Sequence, residues 1–286
     1  MFLLYDWDVS CSKRAVDTIF FAMPSTLLRP KAIVLGSGTS QGVPMIGCRC
    51  ATCLSTDPRD KRTRSSLYLT DGISSILIDT TPELRLQCLR ENIQNVHSIL
   101  FTHQHADHIM GFDDLRRFCD LIGTRLPIYA SEEVIATLKR IFPYAFDPSL
   151  EKNGYLRIIP HIIEETFQIG RFTIHPFPLP HGKITTLGFL FELEKKKILA
   201  YLIDCKTIPQ TIIERLLDVE VLIIDALRDE PHPTHLCTSE AITMAQRIGA
   251  KKTYFTHLTH HKSHKERQAC LPPNIYVAYD GLAIDL

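Results

Sequence analysis

The stretch Thr102-His103-Gln104-His105-Ala106-Asp107-His108 constrains this 286-residue chain more than any other. It directly follows the apolar run Ser98-Ile99-Leu100-Phe101. Three imidazoles and a carboxylate this close together cannot all be buried as neutral core groups, because unpaired polar groups are costly away from water. A solvated histidine-rich loop is the bland alternative. On a tight turn from strand to helix the same side chains converge on cations, since imidazole and carboxylate both suit Zn, Mn or Fe.

The composition admits a large hydrophobic core. Hydrophobic residues make up 45% and charged residues 22%, ordinary for a soluble globular chain, which excludes a disordered polymer, a collagen-like repeat and a small disulfide scaffold. Lys+Arg and Asp+Glu are both 32. With no net charge, wrapping of nucleic acid by bulk electrostatics is disfavoured. No stretch reaches the ~18 apolar residues of a membrane span. The apolar segment 15–23 is short, contains Asp17 and lacks a cleavage pattern, so no secretory leader is expected. Three of the nine cysteines stand at 48, 50 and 53. In a reducing compartment such a cluster reads as a metal clamp before it reads as bridges, and the expected address is the cytoplasm.

Strand-like runs at 32–36, 66–71, 75–80, 98–102, 187–192, 198–204, 220–225 and 252–256 alternate with helical ones, which predicts an α/β chain. Asp71-Gly72 is expected to close one hairpin and Lys195-Lys196-Lys197 another. Thr81 and Pro82 open a predicted helix running to about Asn92. Further helices fit 113–122, 131–142 and the stretch with Ala241, Met244, Ala245 and Ile248 at helical spacing, stopped by Gly249. Residues 1–29 are an extension whose structure the sequence leaves open between strand, helix and frayed end. Residues 30–286 read as one domain.

With its later histidines and aspartates in order, the His103–His108 run resembles the metallo-β-lactamase superfamily of binuclear metallohydrolases. Pro180-His181-Gly182, Leu202-Ile203-Asp204 and Phe255-Thr256-His257 supply the family's remaining positions, over a resemblance covering about 31–280. It implies an αββα sandwich of two mixed β-sheets flanked by helices. By position, His103, His105 and His181 would hold one divalent metal, and Asp107, His108 and His257 a second. Asp204 would bridge them, the metals being Zn or Mn. Asp107 and Asp204 are then also catalytic. Two such cations acidify a shared water and stabilise displacement at phosphorus or attack at a carbonyl. Asp79 is a candidate to orient a ligand imidazole, with a plain turn cap as its other reading.

Cys48-Arg49-Cys50-Ala51-Thr52-Cys53 places three soft sulfurs on one loop, the spacing of a structural zinc site short of a fourth ligand. Within the superfamily this loop is similar to the cyclic phosphodiesterases of the phosphonate-degrading pathway. There a histidine three positions after the last active-site histidine completes a structural Zn. His260 stands at that place, with His261, His264 and Cys270 as rivals; Cys11, Cys88, Cys119, Cys205 and Cys270 read as core or surface thiols. His235, in Pro231-His232-Pro233-Thr234-His235, occupies the position of a proton-donating histidine in the superfamily's transfer-RNA 3′-processing endonucleases, and helix capping is its other reading. His232 is the poorer candidate.

The resemblance therefore implies a phosphodiesterase acting on a small phosphate ester, cyclic or open, using a hydroxide between two metals and His235 as general acid. The alternatives are a transfer-RNA 3′ endonuclease, disfavoured because no basic Gly/Pro-rich arm separates His103 from His181, and a metal-binding scaffold or assembly factor on the same fold. The expected partner is the small substrate, with no membrane; the resemblance allows a homodimer. Two softer features remain. The loop 36–42 (Gly-Ser-Gly-Thr-Ser-Gln-Gly) could offer backbone N–H groups to a phosphate, or be a plain turn. The basic run 61–66 could steer an anion, or be a solvated face.

Overall fold

The computed structural model describes residues 29–286, so the N-terminal extension up to residue 28, with Cys11, lies outside the described residues. In chain order β1 (Lys31–Gly36), β2 (Ser66–Thr70), β3 (Ser75–Ile78), β4 (Ser98–Leu100), β5 (Leu126–Ala130) and β6 (Ile158–Ile162) build one sheet. The next seven strands build a second: β7 (Phe167–Ile169), β8 (Phe172–His181), β9 (Ile184–Leu193), β10 (Lys196–Leu202), β11 (Val221–Asp225), β12 (Lys252–Thr256) and β13 (Ile275–Val277). The last strand, β14 (Leu282–Asp285), returns to pair with β1. Each sheet is mixed. β1–β2–β3 and β8–β9–β10 pair antiparallel, whereas β3–β4–β5–β6 and β10–β11–β12–β13 run parallel.

The two-residue period of a strand explains the layering. In β1, Ala32 and Val34 face the other sheet while Ile33 and Leu35 face helices. In β10, Leu199 and Tyr201 enter the inter-sheet layer while Ala200 and Leu202 point to the opposite side. Strands buried on both faces read as continuous apolar runs, as these do. Helices α2 (Leu84–Arg90), α4 (Arg116–Ile122) and α5 (Glu132–Ile141) cover the first sheet through Leu84, Phe118, Val134 and Leu138. Helices α6 (Gln210–Leu216) and α7 (Thr238–Ile248) cover the second through Ile212, Ile213, Ala241, Ala245 and Ile248. The result is the αββα sandwich of two mixed sheets. Short helices α1 (Ala51–Leu54), α3 (Ala106–Ile109) and α8 (His264–Ala269) lie beside the metal-binding candidates, and α3 also lends Ile109 to the first core. Among the described residues no helix is long and apolar enough to cross a membrane.

Several boundaries differ from the sequence pattern for local reasons. The expected helix 113–122 divides into a 3-10 turn, Phe112–Leu115, and α4. The helix opened by Pro82 starts only at Leu84 and ends at Arg90. The β2–β3 connection is longer than a two-residue turn, because the Asp71 carboxylate accepts from the N–H groups of Ile73 and Ser74 and closes a wider loop. The β9–β10 turn is tight, with Glu194 and Lys195 both left-handed (φ 52° and 66°) as such hairpins require.

Candidate metal centre

The candidate residues sit at or just past strand ends along one edge of the sandwich. The first sheet contributes Asp79 after β3 and the His103–His108 segment after β4, with α3 carrying Asp107 and His108. The second contributes His181 at the end of β8, Asp204 after β10, Asp225 at the end of β11 and His257 after β12. Asp79, Asp204 and His257 all take left-handed backbone (φ 62°, 51° and 60°). For residues other than glycine this costs on the order of 1 kcal/mol each, and it persists only where the surroundings hold it.

Ligand-type atoms of His103, His105 and His181 fall within 4.8 Å of one another, as do those of Asp107, His108 and His257. Asp204, 2% exposed, lies between the two groups. One of its oxygens is 3.2 Å from His257 Nε2 and 3.9 Å from His181 Nε2, and the other is 3.3 Å from His108 Nε2. The fold engages the far nitrogen of three ligand candidates, His103 through its Nδ1 and the Thr102 hydroxyl 3.0 Å away. His108 Nδ1–H donates to Asp79 at 2.8 Å, and His181 Nδ1–H donates to the Thr234 carbonyl at 3.1 Å. Asp79 is itself held by the N–H and hydroxyl of Thr102, both 2.8 Å away. That is the geometry of a carboxylate orienting a ligand imidazole.

Whether these residues suit cations can be judged from the atoms left over. His103 Nε2 and His105 Nδ1 stand 2.9 Å apart, so two imidazoles turn nitrogens onto one spot. His108 Nε2, one Asp204 oxygen and both His257 nitrogens are buried without a hydrogen-bond partner. Such orphaned atoms are costly unless something positive sits among them. Burial alone would lower the His108 pKa, but Asp107, Asp204 and Asp79 outweigh it and raise it well above the usual histidine range. Burial opposes ionisation of Asp204, yet His257 and His108 hold its carboxyl well below the usual range. The set attracts positive charge and fits two divalent ions.

His235 belongs to the same cluster. Its ring stacks on His257 with centroids 4.9 Å apart, and its Nδ1–H donates to Asp225 at 2.7 Å. Burial works against a charge on His235, but that hydrogen bond and the Asp225 charge raise its pKa. Sequence reasoning missed Asp225. A signal existed: Leu77-Ile78-Asp79, Leu202-Ile203-Asp204 and Ile223-Ile224-Asp225 repeat one strand-end pattern, and all three aspartates meet here.

The cysteine loop lies beside the turn that carries His257. Cys48 and Cys50 sulfurs are 3.4 and 3.3 Å from His260 Nδ1, and Cys53 completes a group within 4.8 Å. Cys50 also accepts from the Cys53 N–H at the start of α1. The rivals for the fourth position are otherwise engaged. His261 pairs with the Thr259 hydroxyl at 2.7 Å, His264 faces Arg62, and Cys270 is exposed. The His260 hydrogen bond lowers Cys50 to about 6, while burial pushes Cys53 up to about 11. A divalent cation suits such a donor set because it stabilises thiolates together.

Neither softer feature faces a ligand. The N–H groups of Ser37, Gly38, Thr39 and Gly42 already donate to Asp280, Thr63, Leu258 and Thr39, so they are not free for a phosphate. Gly36 is required because a Cβ there would sit 1.8 Å from the Arg64 carbonyl. The loop instead buttresses the His257 turn, with Leu258 N–H donating to Ser37. In the basic run, Arg62 is buried against Ser37 and Ala278, Arg64 pairs with Glu83, and Lys61 bonds the Cys53 carbonyl.

Comparison with known proteins agrees with this architecture. The family described as "Beta-lactamase superfamily domain" matches residues 74–258. A crystal structure of a diphosphatase from the PhnP family is 39% identical, with a TM-score of 0.82, and covers 90% of this chain and 98% of its own. An octanoyltransferase of Porphyromonas gingivalis is 38% identical over 260 residues, 88% of this chain but 51% of that protein, so the chain spans about half its length. Zn(2+)-bound PqqB from Methylobacterium extorquens shares the fold (TM-score 0.75, 21% identity, 90% of this chain, 100% of that one). With the paired sheets, the strand-end histidines and a match over more than half its length, the chain belongs to the metallo-β-lactamase superfamily.

Proposed function

We propose that this chain is a two-cation phosphodiesterase that cleaves a small, in one form cyclic, phosphate diester, with His235 protonating the departing oxygen. The observation that carries the reading is the Asp225–His235 pair, 2.7 Å long and set against His257. Hydrolysis of a thioester by two cations would not require such a donor, because a thiolate leaves unaided. Zn or Mn ions in the two groups around Asp204 would bring positive charge to the phosphoryl oxygens and favour ionisation of the attacking water. A Zn among Cys48, Cys50, Cys53 and His260 would be structural.

The chain's own residues then divide the work. Asp79 and Thr234 fix which nitrogen His108 and His181 turn toward the centre. Asp107 is kept ionised, because His108 outweighs the burial that opposes its charge. Asp225 holds Nδ1–H of His235, leaving Nε2–H as the proton for the departing alkoxide. His105 and Ala106 are exposed, so substrate reaches the centre from solvent. Similarity to a diphosphatase supports chemistry at phosphorus and favours a second substrate form, a disubstituted diphosphate.

The test is a substrate screen with metal-reconstituted protein: bis(p-nitrophenyl) phosphate, a cyclic nucleotide, a cyclic sugar phosphate, a dinucleoside diphosphate, a transfer-RNA precursor and an octanoyl thioester. Turnover of small diesters or diphosphates is expected. Turnover confined to the RNA or the thioester would overturn the reading.

A further inference from the structure

Arg267, on α8, is 6% exposed, and its guanidinium serves a single residue. Nη2 donates to the Thr259 carbonyl at 3.1 Å and to the Thr259 hydroxyl at 3.2 Å, while Nε is buried without a partner. Neither bond meets a carboxylate. The nearby Asp229 is already taken by Lys262 and the Thr238 hydroxyl. Beside Arg267 and Asp229 lies a cavity of about 20 Å³, room for one water. A buried guanidinium so poorly compensated does not favour stability, since an apolar side chain of similar volume commonly does as well or better there.

Its position explains its presence. Thr259 stands between His257, of the His/Asp centre, and His260, beside the cysteines. The upstream part of this turn has other anchors: Leu258 N–H donates to Ser37, and Thr259 N–H donates to Leu227. The Thr259 carbonyl, which belongs to the peptide leading into His260, accepts only from Arg267 among the described hydrogen bonds. A rotation of that peptide would carry the His260 ring away from the Cys48 and Cys50 sulfurs, now 3.4 and 3.3 Å away.

We propose that Arg267 is a positioning residue for the cysteine-loop metal site: it fixes the Thr259–His260 peptide plane and so presents His260 to Cys48, Cys50 and Cys53. The His/Asp centre does not depend on it, because the turn just after His257 is held by the Leu258 and Thr259 N–H groups, bonded to Ser37 and Leu227. Groups that orient metal ligands typically contribute 10–100-fold to affinity.

Co(II) titration of metal-stripped protein tests this, because thiolate-to-cobalt charge-transfer absorption reports the cysteine site separately from the His/Asp centre. Arg267→Leu should weaken cobalt binding at the cysteine site at least tenfold. It should leave binding at the His/Asp centre within about twofold, and the metal-free melting temperature unchanged or raised. Arg267→Lys, which keeps one donor, should recover part of the affinity. Unchanged cysteine-site affinity in Arg267→Leu, or equal weakening of both sites, overturns the proposal. A metal-free melting temperature that falls as far as the metal-loaded one makes Arg267 merely structural and also overturns it. If Arg267→Leu fails to fold, Arg267→Met, which keeps an unbranched side chain but removes the donor to the Thr259 carbonyl, carries the same readout.

Discussion

At His235 two effects oppose each other. Burial disfavours the charged imidazolium, while the Asp225 carboxylate, 2.7 Å from Nδ1, favours it and wins. A histidine whose charged form is favoured in this way is suited to releasing a proton to an oxygen on which charge develops, a contribution of roughly 10²–10⁴-fold. The need for that proton depends on the departing group. His235→Ala should therefore slow hydrolysis of an alkyl or sugar phosphodiester by about 10²-fold or more, yet slow a p-nitrophenyl ester only modestly, because a phenolate leaves unaided. Steady-state kinetics on the two substrates, with metal content measured alongside, checks this. Equal losses would mean that His235 positions the phosphate instead of donating the proton. Helix capping is not its role, because the N-cap of α7 is Cys237 and the His235 ring turns to Asp225. The same reasoning separates an alkyl ester from a diphosphate, whose departing phosphate also needs little help. Of the residues behind this chemistry, the His103–His108 segment was legible because its ligands are neighbours in sequence. Asp225 was passed over, because the strand-end pattern that it shares with Asp79 and Asp204 does not say which histidine it holds until the fold sets it beside His235.

Among the elements, the cysteine loop and β8 show how local sequence speaks and misleads. Cys48, Cys50 and Cys53 lie within six positions, so one short loop with α1 presents all three sulfurs without help from the rest of the chain. Only the fourth partner depends on tertiary structure. A structural zinc binds with an apparent free energy of roughly 10 kcal/mol or more, which adds directly to folding. Cys50→Ser should consequently lower the melting temperature clearly, while the folded fraction keeps turnover near normal, since Leu258 and Thr259 stay anchored to Ser37 and Leu227. Thermal melts beside activity per folded molecule decide it. A variant that melts like the parent but has lost activity would place the cysteines in the chemistry. Strand β8 was hidden by Pro176, Pro178 and Pro180, residues that usually interrupt strands. It forms nonetheless, because β7 pairs only with Phe172–Ile174 and the remainder of that side has no partner strand to need the missing N–H groups.

Across the whole molecule, function follows from how two sheets share an edge. Each sheet buries one face against its own helices and the other against its partner, so strand ends from both meet where no further strand can pair. Residues far apart in sequence, His103, His181, Asp204 and His257, converge there because β4, β10 and β12 belong to the parallel parts of the two sheets, and β8, separated from β10 by two antiparallel steps, runs in the same direction as β10. The pattern of apolar runs made the α/β class legible. It could not show which strands pair, and it missed β5, β6, β7, β8, β13 and β14, which are short or lie at or next to a sheet edge. The central claim is that this shared edge holds two cations around Asp204 while the cysteine loop holds a third. Elemental analysis of active protein, purified without chelators and quantified per chain, tests it most directly. The account predicts close to three equivalents of divalent metal, and a fully active preparation carrying a single equivalent would contradict it.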